Sequence, residues 1–130
     1  MSAHEWKAGD WAVFDLKIVQ IKELRDDDCA TVSDGMFETY GRLVPRLRPL
    51  TLASKRAVET FDVYYNRLRE IDGNGGFNYP RISDYFARLA RDAIDNPSDE
   101  TPYRRGEAFV QSARDYKPII DGVALFRPAA

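Results

Sequence analysis

The chain has 130 residues, a formal net charge of −2, 44 % hydrophobic and 31 % charged residues, and a single cysteine. Those proportions exclude a disordered chain, and the length allows burial of about 65–70 % of the unfolded surface without metal or disulfide support. No apolar run approaches the roughly 20 residues of a membrane span. The opening MSAHEWKAGDW lacks the pattern of a secretory signal, and a lone cysteine forms no internal bridge, so a cytoplasmic protein without membrane attachment is expected.

Gly9-Asp10 is a turn signal ahead of a short strand from Trp11 to Asp15. Lys17 to Leu24 reads as a second strand. Its Ile18, Val19 and Ile21 do not share one parity, which predicts a bulge or burial on both faces. Arg25 to Asp28 is a charged hairpin loop. Cys29 to Tyr40 then reads as two strands joined by the turn Asp34-Gly35, with both central residues at positive φ. That turn pairs Ser33 with Met36, Val32 with Phe37, Thr31 with Glu38 and Ala30 with Thr39. Ala30, Val32 and Phe37 would share one face, and Thr31, Ser33, Glu38 and Tyr40 the other. Leu43 to Leu50 carries Pro45 and Pro49, which donate to no ladder, so it reads as an irregular edge segment. Four to five short strands joined by tight turns predict a small SH3-like or Tudor-like antiparallel barrel over residues 1–50.

Residues 51–130 read as a helical segment packed on that module, giving an α+β fold. Thr51, or Ser54, is the N-cap of a first helix whose Ala57, Val58, Phe61, Tyr64, Tyr65, Leu68 and Ile71 recur at helical spacing. The glycines of 73–76 stop it. A second helix from Pro80 or Ser83 buries Ile82, Tyr85, Phe86, Leu89, Ala93 and Ile94. Thr101-Pro102 caps a third, which runs to about Tyr116, buries Phe109, Val110 and Ala113, and has a weak spot at Gly106. Lys117-Pro118 ends that helix, and residues 119–126 are expected as an extended, packed tail.

The motifs that carry catalysis or metal binding are few. His4 is the only histidine, and no Cys-x-x-Cys or His-x-x-x-His spacing occurs. Glu70 to Arg81 resembles a calcium loop in its oxygens and in Gly75, but the twelfth position, where a carboxylate should chelate, is Arg81. The glycine cluster follows a helix, whereas a phosphate loop follows a strand. Asp84, Arg88 and Asp92, and Arg91 with Asp95, sit at four-residue steps that make a solvated charged stripe. Cys29 reads as an inert packed thiol. No cofactor and no metal are expected.

Charge is uneven. Residues 1–40 carry net −5, 41–56 net +5, 57–100 net −4 and 101–130 net +2. The basic island consists of Arg42, Arg46, Arg48, Lys55 and Arg56, with no acid among them. In an extended chain Arg42, Arg46 and Arg48 would project to one side. With Tyr40 and Trp11 nearby, these residues are the expected binding surface. A non-catalytic protein-interaction module that docks a partner protein is the function expected of this pattern. The alternatives are a nucleic-acid-binding accessory protein that uses the same island, against which the acidic total charge stands, and a small enzyme built on carboxylates.

Overall fold

The first strand pair turns on two residues that both take left-handed backbone although neither is glycine: Asp15 at φ 48° and Leu16 at φ 65°. Phe14 pairs with Lys17 across them, so they are the two central residues of a mirror-image turn, whose twist matches that of the strands. A computed structural model describes residues 5–74, 82–97, 99–112 and 116–127, the last residue of the first range by its backbone only. The chain is α+β and divides into two compact units, Met1–Thr51 and Leu52–Ala130.

The first unit is a five-stranded antiparallel sheet: β1 (Trp11–Phe14), β2 (Lys17–Leu24), β3 (Ala30–Ser33), β4 (Glu38–Gly41) and β5 (Arg48–Pro49), in the order β4-β3-β2-β1-β5. The expected barrel is not closed. β4 and β5 are the two edges, and β5 has only two residues, one of them a proline with no N–H to give a closing ladder. The irregularity expected in β2 is a bulge between Ile21 and Glu23. A second two-residue reversal, at Asp27 and Asp28 with φ 64° and 62°, joins β2 to β3.

The β3–β4 hairpin is displaced from its expected register. Ser33 pairs with Glu38, Val32 with Thr39, Thr31 with Tyr40 and Ala30 with Gly41. The reversal lies one residue later than expected, at Gly35-Met36. Gly35 has φ 98°, at the first central position, where this turn requires glycine, and Asp34 stays outside the left-handed region. Moving a turn by one residue moves the pairing by two, which preserves faces. Ala30 and Val32 therefore stay buried, and Thr31, Ser33, Glu38 and Tyr40 stay together on the other face. Phe37 leaves the expected apolar face for the loop and is 68 % exposed. The inner face packs Ala12, Val19, Ile21, Ala30 and Val32 with Leu43 and Leu47 from the segment after β4, including a 3-10 turn at Val44–Arg46.

The second unit has four helices, one more than expected: α1 (Leu52–Asn74), α2 (Ile82–Asp95), α3 (Thr101–Gln111) and α4 (Lys117–Phe126). α1 packs on α2 and α4, and α3 packs on both of those. The expected extended tail is α4. Pro118 does not break it, because it lies in the first helical turn, where a missing N–H costs nothing. Ile119, Gly122, Val123 and Phe126 are its buried stripe at helical spacing. α3 begins at Thr101, with Glu100 rather than Thr101 at the cap, and it ends at Gln111, short of Tyr116. Phe86 is fully buried, with the rings of Phe61, Tyr64 and Phe126 centred 6.5, 6.0 and 4.8 Å away. Gly106 is a close approach, where sequence suggested only weakness. A methyl group there would stand 2.7 Å from a Leu89 methyl, and one at Gly122 would stand 2.6 Å from the Phe86 ring.

Asp72, near the end of α1, holds the start of α2. Its carboxylate accepts the backbone N–H groups of Ile82 and Ser83 at 2.9 and 3.0 Å and the Ser83 hydroxyl. This is the role of a capping residue, filled from a neighbouring helix. The remainder of the calcium-like loop, 75–81, lies outside the described residues, as do His4 and Ala113.

Three substitutions test these contacts. Gly122→Ala should lower stability by about 1–2 kcal/mol, because overpacking against a buried ring outweighs the gain in helix propensity. Gly106→Ala should cost less, since a leucine methyl swings aside more easily than a ring. Urea denaturation followed by circular dichroism checks the order. By the same measurement, Asp72→Ala should lower stability by about 1–2 kcal/mol through loss of the cap.

Candidate functional site

Asp34 organises the loop between β3 and β4. Its Oδ1 accepts the N–H groups of Met36 and Phe37, both at 2.9 Å, and its own N–H donates to the Phe37 carbonyl at 3.2 Å. Gly35 N–H donates to the Ser33 hydroxyl at 3.1 Å. With its amides satisfied locally, the loop holds two large apolar side chains in water: Met36 is 84 % and Phe37 68 % exposed. Asp34 Oδ2 also lies 3.4 Å from Lys17 Nζ, which ties the loop to the neighbouring β1–β2 turn.

Between these two turns and the 3-10 turn is a groove of about 310 Å³, its floor made by Val19, Val32 and Thr39 and its walls by Phe14, Phe37 and Arg46. The Arg46 guanidinium stacks 4.8 Å from the centre of the Phe14 ring, within cation–π range. Arg46 and Lys17 supply the positive charge along the groove. Asp15 and Asp34 also line the groove, which therefore carries both signs of charge.

The structure separates the basic island. The turn at Val44–Arg46 breaks the alternation, so Arg42, Arg46 and Arg48 do not project to one side. Arg46 belongs to the groove. Arg42 donates from Nε to the Asp27 carbonyl at 3.2 Å, at the far end of β3. Tyr40 lies at that end too, under the guanidinium of Arg25 at 5.8 Å, and Arg25 pairs with Glu23 at 2.9 Å. Arg48 pairs with Val13 across the β1–β5 ladder, and it donates to the carbonyls of Pro45 and Leu47 at 2.9 and 3.2 Å. Trp11, 55 % exposed, lies opposite Gln20, which in turn lies opposite Ser33, on the face away from the core. Lys55 and Arg56 belong to the helical unit, where Lys55 lies 4.0 Å from Glu59. Cys29 sits in the turn before β3, half-buried, with its thiol 3.8 Å from the Asp27 carbonyl.

Phe14, Lys17, Asp34, Met36 and Phe37 were not legible as site residues. Phe37 reads as core while the turn is placed at Asp34-Gly35, and Lys17 meets Asp34 only through strand pairing. The one local signal was the Asp residue two and three positions ahead of Met36 and Phe37, the spacing at which a carboxylate caps backbone N–H groups.

The two backbone N–H groups, of Phe37 first and then Met36, hold the Asp34 carboxyl below the usual aspartate value of 3.8. A depressed folded value means that this cap contributes fully above the ordinary aspartate range and is lost as pH falls through the lower, folded value. In an NMR pH titration, the amide shifts of Met36 and Phe37 should move together with a midpoint below 3.8, and they should lose that step in Asp34→Asn.

No helix among the described residues is long and apolar enough to cross a membrane. No protein-family model, no curated protein and no solved structure matches the chain.

Proposed function

We propose that this chain is a non-catalytic protein-interaction module whose sheet unit docks an acidic segment of a partner protein in the groove around Arg46. The observation that carries this reading is the pairing of an arginine held on the Phe14 ring with the exposed Met36 and Phe37 side chains. Large apolar side chains kept in water by a capped loop are anchors for an interface. A guanidinium pre-positioned on an aromatic face loses little freedom when it takes a carboxylate. Arg42 and Arg48, at other points of the same unit, would act through the field that steers encounter rather than by direct contact in the groove.

Asp34 supports a binding role over a catalytic one. Its oxygens are occupied by the loop amides and Lys17, and its proton affinity is lowered. A general acid working near neutral pH needs the opposite shift.

Selection of a random twelve-residue peptide library on the intact chain should enrich sequences that carry Asp or Glu near a large apolar residue. Arg46→Ala should remove the acidic preference and weaken binding of the selected peptides about tenfold, the scale of one charge-assisted hydrogen-bonded contact. Met36→Ser with Phe37→Ser should remove the apolar preference. Absence of enrichment, or enrichment unchanged by these substitutions, would end this proposal.

A further inference from the structure

A second groove lies on the helical unit, and of the basic island it involves only Arg56. It has a volume of about 290 Å³ and runs between the first turn of α1 and the ends of α2 and α4. Its surface is apolar: Leu52 is 89 % and Leu125 40 % exposed, and Ala53, Ala93 and Phe126 lie between them. Its two charged lining residues are Arg56 and Arg127, and no acid lines it.

The two arginines differ in availability. Arg127 lies 3.9 Å from Glu100 and 5.3 Å from the centre of the Tyr103 ring. Arg56 has no carboxylate within 4.0 Å among the described residues, and it is half-buried at the edge of the apolar surface. A cation beside an apolar trough that contains no acid complements a molecule with one negative head and an apolar body. The volume is at the small end of ligand pockets, about 300–1,000 Å³. That size suits one short alkyl chain and excludes a two-chain lipid.

We propose that this groove binds a small amphiphilic carboxylate, its alkyl part along Ala53, Ala93 and Leu125 and its carboxylate on the guanidinium of Arg56. This site belongs to the helical unit and does not depend on the function proposed for the groove of the sheet unit.

Titration of the intact, isotope-labelled chain with decanoate, below the concentration at which it forms micelles, tests the proposal. Amide resonances of Ala53, Ala93 and Leu125 should shift saturably. Decanol and decyltrimethylammonium at equal concentration should bind at least tenfold more weakly. Arg56→Ala should weaken decanoate about tenfold, and Arg56→Glu should reverse the preference in favour of the ammonium compound. Ala53→Phe, which fills the trough from an exposed helical position, should abolish the shifts while the rest of the spectrum is retained. Should that variant misfold, the two Arg56 variants still decide the matter. No saturable shift at these amides, an equal response to decanol, or decanoate affinity unchanged in Arg56→Ala would each overturn the proposal.

Discussion

The carboxylate of Asp34 decides where the third hairpin turns, and most of the candidate site follows from that choice. By accepting the N–H groups of Met36 and Phe37, it makes Gly35-Met36 the point of reversal and leaves Asp34 outside the turn. The pairing of β3 with β4 moves by two residues in consequence, so both faces keep their character while Phe37 changes from core to surface. The same side chain reaches Lys17 and joins two loops that are far apart in sequence. One short acidic residue thus sets a register, exposes an apolar pair and shapes the wall of a groove.

The helical unit depends on a different kind of constraint, the fit of backbone against side chain. Gly122 lets α4 approach the Phe86 ring, and Gly106 lets α3 approach Leu89. In a densely packed interior such contacts leave no room for an added methyl group. Helix propensity favours alanine at both positions, so these glycines contribute through shape and not through local preference. Asp72 adds a polar counterpart by capping a helix other than its own.

Periodicity carried a large part of the fold. The strands β1 to β3, the bulge in β2, the apolar face of α1 and the stripe of α2 all follow from spacing alone. The errors fell where one residue type serves two purposes. Pro118 was read as a breaker, although proline also starts helices, and residues 119–126 were read as an extended packed tail, although Gly122 is a packing contact within a helix. The stripe Ile119, Val123 and Phe126 held the helical spacing throughout. Arg46 was legible as charge, and Trp11 and Tyr40 as aromatics expected near it. Their separation was not, because the 3-10 turn at Val44–Arg46 breaks the alternation that would have put Arg42, Arg46 and Arg48 on one side.

By itself the sequence determined the α+β class of the fold, the order of its elements as far as α3, the poverty of imidazole and thiol chemistry and the concentration of cations between residues 41 and 56. Hydrophobic spacing and composition are local properties of a chain, and they survive folding unchanged. Tertiary structure alone decided that the sheet stays open, that Arg46 rests on Phe14 apart from its neighbouring arginines, and that Phe37 points to water. The contact of Arg46 with Phe14 joins residues distant along the chain, while the open sheet and the exposure of Phe37 depend on where strands end and turns fall, which spacing alone does not fix.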